Sequence, residues 1–558
     1  MADAATKQGF YDGIDDDLKR DIRLSVTEAS LSTVMGTFIG GAFLIGFALT
    51  LGAGDFEIGL LASLPLLANL IQIAGSVIVA RVGSRKKVCS IYLFLHRLMW
   101  ACVAALPLVV FRDRLEDARV WIFMGLLTIA SVCASVTGIA WTSWIADLVP
   151  KEVRGRFFSR RNIVAQVVGM VLAVAGGRFI DVWTAASTSD QMRGYGFMIL
   201  FGIGTVFGIA GVIVLRRISE PDLEAAGGES FVAQLRKPFE DTNFRTFMLF
   251  SVAWGFATGI VGPFFSVYLI NTLMIPFSVI TLFGVVAGIS TILGTKLWGG
   301  MIDRVGPKPL SLICGMGGCF TPLFWIFATP ESYTVIWVSH FVSGFFFSGI
   351  GLAATGMMMN LAPSRNNAVF FAVFAAVTGL FGALAPIAGG ALGELYRGRA
   401  LYQGFVDLSD IRLLFITSTA LRLLSLPVLR FIRIPDAVSV KDMFASISSY
   451  QRFLPLYAIP SVASAGMSYV ENATANLSRS VVSVERKIDA IVRRGGDLSR
   501  AFLFRVRAID RVIDGRLAEH EEVLDRMIDR IVGLFSKKRR GDGGPSAGDG
   551  SSNGGKGR

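Results

Sequence analysis

From about residue 27 to residue 432, apolar stretches follow one another almost without pause, separated by short polar turns. A hydrocarbon core of roughly 30 Å is crossed by about 20 helical residues, and the stretches are of that length. The pattern predicts twelve transmembrane helices near 27–51, 56–80, 88–111, 119–145, 162–183, 196–215, 244–271, 277–300, 309–329, 333–360, 367–393 and 410–432. One longer polar segment, Arg216 to Arg245, divides the series into six and six. The expected organisation is an N-terminal segment 1–26, a six-helix half 27–215, a linker 216–243 and a second half 244–432. An extension 433–540 and a tail 541–558 follow.

Beyond Pro435 the pattern changes. Pro455 and Pro460 interrupt any long helix in 436–478, which reads as a membrane-skirting segment rather than a thirteenth span. Phe502, Val506, Ile509, Ile513, Leu517, His520, Leu524, Met527 and Ile531 then recur at steps of three and four, predicting an amphipathic helix. It could pair as a coiled coil in self-association or with a partner, pack on the membrane domain, or lie on lipid. The Gly- and Ser-rich end from Gly541 is expected to be disordered.

Composition supports the membrane reading: 53% of residues are hydrophobic, 17% are charged and the mean hydropathy is +0.58. The net charge of +12 gathers in loops and tail, which suits anionic lipid headgroups and not nucleic acid. With both termini cytoplasmic, the inward loops carry roughly 21 Lys and Arg against about 6 in the outward ones. A multi-pass protein of the cell (plasma or inner) membrane is expected, with linker and tail cytoplasmic. The acidic N-terminus (Asp12, Asp15, Asp16, Asp17) lacks the layout of a cleavable signal, so the first apolar helix is expected to direct insertion. Cys89, Cys102, Cys133, Cys314 and Cys319 lie in apolar segments without metal-ligand spacing, so neither disulfides nor a metal is expected.

An internal repeat carries more information. Asp147 to Phe158 (DLVPKEVRGRFF) aligns without gaps to Asn360 to Phe371 (NLAPSRNNAVFF), and at the same offset Gly176-Gly177 falls on Gly389-Gly390. The loop Arg81 to Lys87 (RVGSRKK) has its counterpart in Asp303 to Lys308 (DRVGPK). Two related six-helix halves follow.

These loops resemble those of the major facilitator superfamily, which carries G-x-x-x-D-R-x-G-R-R/K after helix two and, weaker, after helix eight. The second copy keeps Gly299, Asp303, Arg304, Gly306 and Lys308; the first keeps Arg81, Gly83, Arg85 and Lys86 but has Ala80 in place of the usual Asp. Asp147, Arg154 and Arg156 resemble the family's loop between helices four and five. The resemblance implies an all-α polytopic fold of two pseudo-symmetric six-helix halves and a charge-relay latch between them. It also implies a midplane cavity lined by helices 1, 2, 4, 5, 7, 8, 10 and 11. Missing are the Arg in helix four and the G-P-x-x-G-G run in helix five of the family's drug:proton antiporters.

Polar residues on those helices are the cavity candidates: Asn69 and Gln72, which share a face of helix two, Ser131 on helix four, Trp254 on helix seven and His340 on helix ten. Packing within the bundle is the competing role for each. Trp141 and Trp144 read as interfacial anchors. Arg97 and Arg422 lie inside spans, where an Arg costs at least about 2.5 kcal/mol, and snorkelling or pairing is expected, with Glu28, near the start of helix one, the one acid on offer as a partner. No Asp or Glu falls at mid-depth of a predicted helix. The chain therefore reads as a secondary transporter moving a small organic, weakly polar or amphipathic solute by alternating access. No cofactor and no enzymatic chemistry are expected: P-loop, metal cluster and nucleophile-base pair are all missing from the sequence. The alternatives are a non-transporting scaffold or sensor presenting its tail, and a lipid translocase.

Overall fold

A computed structural model describes residues 15–111, 115–221, 236–362, 367–403 and 407–434. The expectations for 435–558, including the amphipathic helix and the disordered tail, lie outside the described residues, as do residues 222–235 of the linker.

Eleven helices are long and apolar enough to cross a membrane. They are α1 (Asp16–Thr50), α3 (Arg85–Val110), α4 (Arg119–Leu148), α5 (Lys151–Ala185), α6 (Asp190–Leu215), α7 (Thr242–Thr272), α8 (Phe277–Val305), α9 (Pro307–Phe327), α10 (Thr334–Leu361), α11 (Asn367–Tyr396) and α12 (Ile411–Phe431). The predicted second span is a broken helix, α2, with pieces Asp55–Asn69 and Gln72–Val82. Pro65 cannot donate an amide hydrogen, and five residues on the helix tightens as Leu70 and Ile71 bond the carbonyls of Leu67 and Ala68, three residues back.

Other breaks have local causes. α1 interrupts at Gly40, and Gly41 takes φ +55°, a conformation that glycine adopts without strain. In α7 the turn after Gly259 contains Pro263, and the helix closes on a π turn, Tyr268–Thr272. The loop after α11 departs from the all-α expectation: β1 (Ala400–Gln403) and β2 (Asp407–Ser409) pair antiparallel, so backbone groups left by the helices find partners in each other.

Helices α1–α6 pack mainly among themselves through α1 with α5 and α6, α3 with α4 and α6, and α2 with α4. The same holds for α7–α12, through α8 with α10, α9 with α10, and α7 with α11 and α12. In the first set Phe47 stands edge-on to Phe123 and Phe201 at 5.1 and 5.3 Å. In the second, Phe247 stacks on Phe374 at 5.0 Å. The sets meet chiefly along α2 with α11 and α5 with α8.

Hydrogen bonds repeat between the sets. After α6, the amide of Ser219 donates to Asp21 and the carbonyl of Ile218 accepts from Lys86. After α12, the amide of Arg433 donates to Asn243 and the carbonyl of Ile432 accepts from Lys308. In each set the chain leaving its last helix is thus tied to the starts of its first and third. The bundle end holding Asp21, Arg85, Asp147 and Ser219 is called the near side, and the end holding Thr50, Asp55, Asp181 and Arg397 the far side. Trp144, read from sequence as an interfacial anchor, is fully buried and donates to the Ser219 carbonyl at 2.7 Å.

Candidate functional site

A cavity of about 790 Å³ lies between the two sets. One wall is α1 and α5, contributing Thr33, Thr37, Asn162 and Gln166. The other is α7 to α10, contributing Phe265, Ser266, Thr281, Trp325 and His340. Helical spacing explains the first wall: Thr33 and Thr37, and Asn162 and Gln166, are i,i+4 pairs that each share a face. Gly169 between them is approached by both threonines, each with an atom 3.4 Å from where its Cβ would be. The Gln166 amide reaches the opposite set, lying 3.2 Å from the Cβ position of Gly288.

Among the described residues that line it, none is Asp, Glu, Lys or Arg. Neutral hydrogen-bonding groups and aromatic rings make the surface instead. Trp325 is fixed by donating to Ser339 at 2.9 Å, and its ring lies 4.4 Å from that of Phe265. His340 stacks on Phe283 at 5.0 Å, and its Nδ1 lies 3.0 Å from the Ile336 carbonyl. A carbonyl only accepts, so Nδ1 carries a hydrogen, and a ring protonated there alone keeps Nε2 as an acceptor. Asn162 and Gln166 are exposed in the cavity and bond no other described residue.

The far side of the cavity is closed. Phe277 of α8 enters the first set, stacking on Phe43 at 6.0 Å and standing edge-on to Phe197 at 5.9 Å. Gly46 makes room for it: a Cβ there would stand 2.5 Å from the Phe277 ring. The carboxylate of Asp181, on α5, accepts from the amides of Phe277 at 2.6 Å and Ser278 at 3.0 Å. Arg397 donates to Asp55 at 2.7 Å. The paired glycines of the sequence repeat lie in this closure. A Cβ on Gly177 would stand 2.8 Å from the backbone of Phe277 and Ser278, and one on Gly390 2.5 Å from the Asp55 carbonyl.

Of the residues singled out from sequence, His340 lines the cavity. Asn69 is exposed at the break in α2, and Ser131 is half-buried on α4; neither lines it. Trp254 is buried against Phe250 and Phe347, away from the cavity. The side chains of Gln72 and Arg156 lie outside the described residues. Among the loop residues, Arg85 pairs with Asp147 at 2.5 Å, and Arg154 caps the carbonyls of Ala146 and Val149 at the end of α4. Gly83 and Gly306 take φ +70° and +83° at the turns into α3 and α9. Arg81, Asp303 and Arg304 are exposed, and a Cβ on Gly299 would meet nothing within 4 Å.

Arg97 and Arg422 are buried within their own sets. Arg97 donates to Ser32 at 3.1 Å; Ser32 donates to Glu28 at 2.6 Å; and Glu28 pairs with Arg161 at 3.4 Å. Arg161 also lies 4.4 Å over the Trp141 ring. Arg422 has no acid in its described surroundings, donating to the Gly318 carbonyl and Thr321 hydroxyl at 2.9 and 3.0 Å beside the Phe347 ring.

The sequence matches the family model of the Major Facilitator Superfamily over residues 29–290 and again over 246–470. No curated protein matches it. Among solved structures, a mutant of the nucleoside transporter NupG is 14% identical with a TM-score of 0.57, covering 73% of this chain and 99% of its own. A D-xylose-proton symporter is 15% identical with a TM-score of 0.56 over 75% of this chain and 99% of its own. A bacterial homologue of the human lysosomal transporter Spinster is 16% identical with a TM-score of 0.54, covering 75% and 97%. Helices, cavity and family match converge: this chain belongs to the major facilitator superfamily and is a multi-pass membrane transporter, not an enzyme.

Proposed function

We propose that the protein is a secondary transporter moving a small, uncharged, weakly polar or amphipathic organic solute by alternating access. The observation that carries this reading is the lining of the cavity, where the described residues offer amide, hydroxyl and imidazole groups beside aromatic rings and no charged side chain. A fixed charge entering such a site loses its hydration without gaining a counter-charge, a cost a neutral solute avoids. Phe265 and Trp325 suit the apolar face of the solute, Gln166, Asn162 and His340 its polar groups.

The two pieces of α2 together make the twelfth crossing. The loop bias of basic residues favours a cytoplasmic near side and a cell-membrane location. The conformation is then inward-open: solute reaches the cavity past Asn162 and Gln166 while Phe277 shuts the far side. The opposite state requires the two sets to rock so that α5 and α8, and α2 and α11, part at their far ends. Arg81, Arg85, Asp147, Asp303, Arg304 and Lys308, on the near side, are placed to latch that state.

The test is thermal unfolding of the detergent-purified full chain against neutral sugars, nucleosides and amphipathic solutes, with organic anions and cations alongside. A solute at about 100 times its dissociation constant adds about 2.7 kcal/mol. A shift with an uncharged solute that Gln166→Ala or His340→Ala removes supports the reading. A shift confined to charged solutes, or none in folded protein, contradicts it.

A further inference from the structure

The four amides that begin a helix have no partner within it and point a partial positive charge outward. α2 meets this need from its own sequence: Asp55 and Glu57 stand in its first turn, and Glu57 accepts from the Gly54 amide at 3.1 Å. α8, its counterpart in the second set, does not. It begins Pro276-Phe277-Ser278-Val279, with no acid in the first turn and no side-chain cap from its own N-cap residue. Its cap comes from the other set, as both oxygens of Asp181 take the Phe277 and Ser278 amides. Gly177, one helical turn earlier on α5, allows the approach. Asp181 aligns with Glu394 by the repeat, yet Glu394 makes no such bond among the described residues, because α2 is already capped by itself.

We propose that Asp181 is the positioning residue that holds the far gate shut. It acts through α8: while its carboxylate caps the helix, Phe277 stays seated on Gly46 between Phe43 and Phe197. Opening the gate takes the cap away and leaves the first amides of α8 to water. The far-closed state is therefore stabilised by a charge-assisted contact that the far-open state lacks, and the contact is asymmetric between two otherwise related halves. This role rests on the alternating-access reading above.

The experiment uses Gly36→Cys as reporter. Gly36 lines the cavity on α1, and a Cβ there meets nothing within 4 Å. A membrane-impermeant maleimide is applied to one face or the other of sealed vesicles, with the chain lacking the reporter as blank for the five native cysteines. The reporter alone should label fast from the near side and slowly from the far side; no near-side labelling would overturn the alternating-access reading itself. Adding Asp181→Ala should raise the far-side rate about tenfold and lower the near-side rate, as loss of a helix cap implies. Asp181→Asn keeps one acceptor oxygen without the charge and should fall between; it answers the same question should Asp181→Ala not fold. Gly177→Ala wedges the same contact sterically and should also raise far-side labelling. If Gly177→Ala opens the far side while both Asp181 variants stay within twofold of the parent, the assignment to Asp181 is overturned. Thermal unfolding separates gate control from damage, since a merely structural Asp181 would lower stability without changing the face that labels.

Discussion

Lys86 and Lys308 make the same hydrogen bond in the two halves of the molecule, donating to the carbonyl oxygens of Ile218 and Ile432 at 2.7 and 2.6 Å. Both stand where the third helix of a half begins, and both close the chain leaving its last. The loop motif of the family thus supplies each half with an internal fastener in this state, as Arg85 does with Asp147.

Replacing either lysine by Met removes a charged donor from a half-buried carbonyl. Each variant should lose about 1.5–3 kcal/mol, and Lys86→Met and Lys308→Met should lower the unfolding temperature of the purified protein by similar amounts. A loss confined to one of them would show that the symmetry of the contacts is not a symmetry of energies.

The two buried arginines should respond differently to Met. Arg97 helps hold Glu28 through Ser32, so Arg97→Met weakens a network around a buried carboxylate and should cost about 1–3 kcal/mol. Arg422 serves no acid in its described surroundings, and Thr321 already donates to the Gly318 carbonyl at 3.0 Å. An apolar chain of similar length leaves those groups satisfied, so Arg422→Met should be close to neutral. Thermal unfolding of both variants side by side checks the order.

Two glycines on α10 should take opposite signs. A Cβ on Gly344 would stand 3.0 Å from the carbonyl carbon of Ala287 in α8. Gly344→Ala should therefore cost about 1–3 kcal/mol by forcing two helices apart. At Gly351 a Cβ meets nothing within 4 Å, and Gly351→Ala should stabilise by about 0.5–1 kcal/mol through lower backbone entropy of the unfolded chain. Denaturant or thermal unfolding decides both.

The second far-side tie is weak by comparison. The hydrogen bond and charge of Asp55 raise the pKa of Arg397 above the already high ordinary guanidinium value. A raised value adds stability fully present below the unfolded pKa and lost only above the folded one, so Arg397 contributes no pH dependence between about pH 6 and 9. Its side chain is 64% exposed, and Arg397→Gln should cost under about 1 kcal/mol, less still at high salt. Unfolding scans across pH and ionic strength measure this.

The sequence made the spans and the repeat legible, because bilayer thickness and loop chemistry leave local marks. Gly176-Gly177 and Gly389-Gly390 stood out as a pair, but that Gly177 and Gly390 press on α8 and α2 depends on which helices face each other. Gln166 and Asn162 carry no such mark, because they fall at the start of an apolar stretch. α5 begins at Lys151, so Asn162 lies about three turns inside. Glu28, which the sequence offers as a pairing acid near the start of helix one, likewise lies about three turns into α1, which begins at Asp16. Trp254 stands on a helix apolar on every side, where periodicity does not say which face looks inward. The break in α2 has no glycine at Leu70-Ile71 to announce it, only Pro65 five residues earlier.

The central claim is that the cavity passes a solute across the membrane. Counterflow in proteoliposomes tests it most directly, with the uncharged solute that best stabilises the protein loaded inside and its labelled form outside. The account predicts transient accumulation of label by the full chain, persisting after deletion of 435–558 and needing far more solute in Gln166→Ala. Saturable binding without any accumulation, in protein that unfolds cooperatively, would contradict transport and leave a membrane scaffold or sensor in its place.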